Sequence, residues 1–119
     1  MQYGLLFYQP ATEAERTLDD PASADYWASW NAYIGAMYSA GIATSGEGLQ
    51  PPSTATTVRV RDGQREVLDG SFAETKELLS GYVIINVASF DEALTWAARS
   101  PSSATGRTEV RPVLVLERP

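Results

Sequence analysis

The sequence predicts an α+β domain, a ferredoxin-like sandwich with the order β-α-β, inserted β-hairpin, β-α-β. Three observations carry this reading. Residues 20–40 repeat apolar side chains at helical spacing, and a second, shorter helical pattern follows Ser89. Apolar or alternating strand segments surround both. An Asp-Gly pair, Asp62-Gly63, joins two of those strands as a tight hairpin. At 119 residues the chain fits a single domain, 1–119, with no repeat and no linker. A composition of 44% apolar and 20% charged residues is that of a globular chain.

Taken in order, residues 2–8 form a short aromatic and aliphatic run that favours a buried strand, ended by Gln9-Pro10. Residues 11–19 are polar and read as a loop. Asp20-Pro21 is an N-cap followed by Pro at the first helical position. The helix then runs to about Ala40 and stops at Gly41. Trp27, Trp30, Ile34 and Met37 form its apolar face, widened by Tyr26, Tyr33 and Tyr38. Residues 42–49 are a strand interrupted by Gly46 and Gly48, a pattern of bulge or close backbone approach. Residues 50–53 are a loop. Residues 56–61 alternate, with Val58 and Val60 on one face and Arg59 and Arg61 on the other, and 65–68 return.

A helical turn is expected over 72–79, with Ser71 and Glu74 as a capping box. Residues 81–87 carry Tyr82-Val83-Ile84-Ile85 without a polar break, the pattern of a central strand covered on both faces. Ser89-Phe90-Asp91-Glu92 is a second capping box, opening a helix with Phe90, Ala93, Leu94 and Ala97 on one face. Ser100-Pro101 ends it. Residues 108–116 are the last strand, at an edge or bulge position because Pro112 lacks a ladder donor. With both helices on one side, the second sheet face is too apolar to stay wet, and a symmetric homodimer is the simplest cover.

Composition also excludes chemistry. The chain has no Cys and no His, so it offers no thiolate and no imidazole base. Zinc would find only carboxylates, a poor set for it. Ser45-Gly46-Glu47-Gly48 lacks the spacing and the Lys of a phosphate loop. No cofactor and no metal is therefore expected. A net charge of −6 argues against nucleic acid. No apolar run reaches a membrane span. The start of the chain lacks the basic residues of a signal peptide, which makes a cytoplasmic location the expectation.

Several segments together resemble a known family: residues 1–8, Gly46-Glu47-Gly48-Leu49-Gln50-Pro51-Pro52, residues 54–59, Asp69-Gly70-Ser71-Phe72-Ala73-Glu74-Thr75-Lys76-Glu77, Asp91-Glu92-Ala93-Leu94 and Val110-Arg111-Pro112. The chain resembles the YCII-related proteins, in the branch named for an Asp-Gly-Pro-Phe (DGPF) motif, over nearly its whole length. Ser71 stands where that branch carries Pro, exchanging a fixed φ for a hydroxyl. The resemblance implies a dimeric α+β barrel. It also implies relatives that include a dehydrochlorinase of chlorinated hydroquinones, a barrel similar to muconolactone isomerases, and members beside or fused to extracytoplasmic-function sigma factors. The wider family carries a His-Asp catalytic pair, and without His that mechanism does not transfer.

The candidate site residues each have two readings. Asp69, Glu74 and Lys76 would supply acid–base catalysis or polar anchors, with Phe72 beside them; otherwise Asp69 caps a turn and Lys76 is solvated. Arg59, Glu109 and Arg111 would share one sheet face and hold a carboxylate or phenolate, or else form a cross-strand Arg-Glu-Arg ladder. Tyr8 and Tyr82 would wall a pocket, with Trp27, Trp30 and Tyr33 as its neighbours or as plain core. The expected function is binding of a small anionic or aromatic molecule in a cleft of each protomer, with lyase- or isomerase-like chemistry left open. The alternative is an accessory interaction protein, with a sigma factor as its partner.

Overall fold

The computed structural model describes residues 1–71 and 76–116. Its elements are β1 (Gln2–Pro10), α1 (Ala11–Ala14), α2 (Ala24–Ser39), β2 (Ala43–Gly48), β3 (Thr56–Arg61), β4 (Gln64–Asp69), β5 (Glu77–Asn86), α3 (Phe90–Ala98), α4 (Pro101–Thr105) and β6 (Arg107–Pro112). The main sheet has the order β2-β5-β1-β6 with every pair antiparallel, and β3-β4 forms a separate two-stranded sheet. This is the ferredoxin-like α+β arrangement with an inserted hairpin.

Alternation along β1 decides which face meets the helices. Tyr3, Leu5, Phe7 and Gln9 point towards them and are buried. Val83 and Ile85 on β5 extend that layer, and Trp30, Tyr33 and Met37 of α2 with Ala93 and Ala97 of α3 close over it. Phe7 meets Trp30 edge-on at 4.9 Å and Tyr33 at 6.0 Å between ring centroids, a favoured aromatic geometry. Burial pushes the Tyr33 hydroxyl well above its ordinary pKa, although the Arg99 guanidinium pulls the other way, and the hydroxyl donates to the Trp96 carbonyl at 2.9 Å.

Local chemistry explains the boundaries. Asp20 caps a 3-10 turn, Pro21–Ser23, by accepting from Ala22 N, and α2 follows. Ser89 accepts from Glu92 N at 3.1 Å, while the Glu92 carboxylate reaches back to Ala88 N at 3.0 Å. Asp62 and Gly63 both have positive φ, as the hairpin turn requires. Gly46 sits where β2 crosses β5 closely: a Cβ there would lie 2.7 Å from Tyr82 O and 2.9 Å from Val83 Cα.

Several expectations are corrected. The turn expected over 72–79 gives way to β5 from Glu77 onward, because Glu77 and Leu78 pair with Pro10 and Gln9 beyond a bulge at Ser80 of β5. Residues 72–75, with Phe72, Glu74 and the first capping box, lie outside the described residues. The polar loop after Pro10 begins with α1, and Ser100-Pro101, besides ending α3, starts α4, with Ser100 as its N-cap. The last strand stops at Pro112 and does not reach 116. On α3, Ala93 and Ala97 are buried, whereas Phe90 and Leu94 are 48% and 42% exposed.

The second face of the main sheet is open. It presents Leu6, Tyr8, Leu79, Tyr82, Ile84, Glu109 and Arg111, as the cross-strand register places them. The radius of gyration is 16.0 Å, against about 13.5 Å for a compact chain of this length. The hairpin forms its own two-stranded sheet and leaves Val58, Val60, Val67 and Leu68 exposed. No helix among the described residues is long and apolar enough to cross a membrane.

Candidate ligand site

A cleft of about 1120 Å³ opens at one end of the uncovered sheet face. Three elements build it. The loop after β2 brings Leu49, Pro51 and Pro52; the start of β5 brings Leu78 and Leu79; and β1 and β6 bring Tyr8, Arg107 and Glu109. The register makes this meeting unavoidable, since Tyr8 lies opposite both Leu79 and Arg107. Ser71 and Lys76 border the opening. The walls are therefore mostly aliphatic, with a few polar groups at defined places, the usual constitution of a small-molecule site.

Charge is unevenly neutralised around this cleft. Arg107 meets Glu77 at 3.3 Å, and Arg111 meets Glu109 at 2.6 Å. The Glu109 hydrogen bond and charge raise the Arg111 pKa above its ordinary value. Among the described residues Lys76 has no ion pair. Among the described residues its ammonium is thus a charge at the cleft without an ion-pair partner.

Of the residues singled out from sequence, Tyr8, Lys76 and Glu109 come together here. Arg111 joins them indirectly through Glu109. Asp69 does not line the cleft; it ends β4, opposite Thr56. Arg59 lies on the separate hairpin opposite Glu66, so the expected Arg59-Glu109-Arg111 grouping on one face does not form. Tyr82 shares the open face but is removed from Tyr8, and it faces Leu6 and Glu47 across the strands. Trp30 and Tyr33 are core, on the opposite side of the sheet from Tyr8.

Sequence reasoning missed Gln9, which is 1% exposed. Its amide donates to Ser80 Oγ at 2.7 Å and accepts from the Tyr26 hydroxyl at 2.9 Å, and Ser80 donates onward to Phe7 O at 3.1 Å. A Gln-Pro pair reads as a strand end. The signal that could have found it is the alternation Tyr3, Leu5, Phe7, which continues inward at position 9. Arg107 and Glu77 were also missed, because their pairing depends on strand register beyond the β5 bulge.

Comparison with known proteins places these features in a family. The match to the YCII-related domain covers residues 1–117. An uncharacterized protein of Rhizobium meliloti (strain 1021) is 47% identical over 73 residues, which is 60% of this chain and 58% of that relative's length, less than two thirds of it. Among solved structures, 5-chloro-2-hydroxyhydroquinone dehydrochlorinase from Burkholderia phenoliruptrix AC1100, in complex with 2,5-dihydroxybenzoquinone, aligns with 96% of this chain and 94% of its own at a TM-score of 0.50. The identity is 15%, so that likeness speaks for a shared fold. With a family match from the first residue to the last described strand and beyond, the chain belongs to the YCII-related domain family.

Proposed function

We propose that this chain is a homodimeric binding protein for a small aromatic anion, held in the cleft beside Tyr8. The observation that carries the reading is the aliphatic cleft of about 1120 Å³ lined by a Lys76 ammonium that has no ion pair among the described residues. Leu49, Pro51, Leu78 and Leu79 would hold an aromatic body, the Tyr8 hydroxyl would hydrogen-bond a ring substituent, and Lys76 would supply the counter-charge. The ligand complex of the dehydrochlorinase that shares this fold is in keeping with a small ring compound. A lyase- or isomerase-like proton transfer would use a cleft group such as Tyr8 or Glu109 next to Lys76, since the chain has no His.

The dimer rests on the uncovered sheet face. Leu79 and Tyr82 are each 38% exposed there, and Leu114, Val115 and Leu116 add further exposed apolar surface beyond β6. A second copy packed on this face would bury them and wall the open side of the cleft.

Titration calorimetry with benzoate at low salt tests the reading. Lys76 is exposed, so its attraction for a carboxylate about 4 Å away is about 1 kcal/mol. Reversing the charge with Lys76→Glu doubles the difference, to a loss of roughly 30-fold in affinity. Equal affinity for both proteins, or no binding to either, would overturn it.

A further inference from the structure

Two apolar surfaces of the chain have no cover within the protomer. The first is one face of the β3-β4 hairpin. Val58 lies opposite Val67, and Val60 follows two residues on, so strand alternation puts all three on the same face. Each is more than half exposed. A two-stranded hairpin is at best marginally stable alone in water, and this one forms a sheet of its own. The second surface is the tail beyond β6. Val113 N donates to Gln2 O at 3.0 Å, and after it Leu114, Val115 and Leu116 are at least 70% exposed.

Placement decides what can cover them. β6 runs antiparallel to β1 and leaves the sheet beside Gln2 and Tyr3. The hairpin joins at the other end, where Ala55 and Thr57 at its base line the cleft with Tyr8 and Arg107. Gln2 and Tyr8 are about 20 Å apart along a strand, at about 3.4 Å per residue. The four residues 113–116 span at most about 14 Å, so the tail falls short of its own hairpin's base. A second copy removes that gap. A twofold axis lying between the two open faces, across the strands, sets the Gln2 end of one sheet over the Tyr8 end of the other. Charge permits the approach. Residues 56–69 hold Arg59, Arg61 and Arg65 against Asp62, Glu66 and Asp69, so the hairpin is neutral in a chain of net charge −6, and residues 113–116 carry no charge. A basic partner would be drawn to the acidic remainder instead.

We infer that the tail, residues 113–116, of each protomer docks on the valine face of the other protomer's hairpin, the face carrying Val58, Val60 and Val67. This docking rests on the homodimer proposed above and adds to it the direction of the axis and a reciprocal pair of arm contacts. Each contact takes two apolar surfaces out of water and gives the hairpin the packing layer it lacks on its own protomer.

The chain has no Cys, so introduced thiols are the only ones present. Val58 and Val115 are exposed in the protomer, so Val58→Cys and Val115→Cys leave its core intact. The chain carrying both substitutions, treated with a short bismaleimide at micromolar concentration, should form a covalent dimer of twice the 12.9 kDa protomer mass. It should do so about tenfold faster, or more, than either single variant, because thiols held in one assembly meet at a far higher effective concentration. The single variants resist because the axis keeps the two hairpins, and likewise the two tails, at opposite ends of the dimer. Light scattering of the wild type separates the two claims. A dimeric wild type whose double variant crosslinks no faster than the single ones, or only within one chain, overturns the tail docking and leaves the homodimer standing. A monomeric wild type overturns both.

Discussion

Replacing Gln9 with Leu should cost the fold about 2 kcal/mol. Gln9 is among the most buried polar side chains, and its amide ties β1 to both α2 and β5. The substitution keeps the side chain's size but removes two neutral hydrogen bonds, each contributing about 1 kcal/mol net. Ser80 retains the Phe7 carbonyl, which limits the loss at that end. Tyr26 is half-buried and loses its acceptor. Leu adds apolar burial, which offsets part of the desolvation left behind. With an unfolding entropy of about 250 cal/mol/K for a chain of this length, the melting temperature should drop by about 8 °C. The assay is thermal and urea unfolding at one fixed protomer concentration, because association would contribute to stability. A double-mutant cycle with Tyr26→Phe isolates the shared bond and should give a coupling of about 1 kcal/mol. Strict additivity of the two substitutions, or a melting temperature within a degree of wild type for Gln9→Leu, would refute the assignment of this network as structural glue.

Three other outcomes follow from the same structure. Gly46→Ala should destabilise by about 1–3 kcal/mol, since the new Cβ would press on Tyr82 O and Val83 Cα; an unchanged urea midpoint would contradict the close β2–β5 crossing. Tyr33 titrates above its ordinary value of 10.0 in the fold, so as pH rises the unfolded chain loses that proton first. The stability it supplies is complete below pH 10 and is lost as pH climbs towards the folded value, by about 1.4 kcal/mol per unit. Tyr33→Phe should remove that slope in alkaline unfolding curves, and an identical slope would show the hydroxyl is not shielded. Light scattering at micromolar concentration should give twice the 12.9 kDa protomer mass, and Tyr82→Glu should return it to the protomer; a monomeric wild type would leave the open face without its proposed cover.

Local signals in the sequence carried most of the fold. The Asp20 cap, the Asp62-Gly63 turn, the Ser89 cap and the unbroken apolar run in β5 all act over a few residues, and each appears where its chemistry predicts. The features that escaped depend on partners far away in the chain. Glu77–Leu79 carry no strand pattern of their own and become strand because β1 supplies their partners through a bulge. Arg59 alternates like the β6 arginines, yet it belongs to another sheet, and no periodicity within six residues reveals that. For the site, Tyr8, Lys76 and Glu109 were visible as residue types. That they border one cleft, while Asp69 does not, follows from strand register alone.

The central claim is that the cleft beside Tyr8 takes a small aromatic anion through Lys76. Heteronuclear NMR mapping of benzoate on the wild-type chain addresses it most directly. The account predicts saturable amide shifts clustered at Lys76, Leu78, Leu79, Thr108 and Glu109, weakened by added salt as an exposed charge contact must be. Shifts confined to α2 and β2, or no shifts at millimolar benzoate, would contradict it.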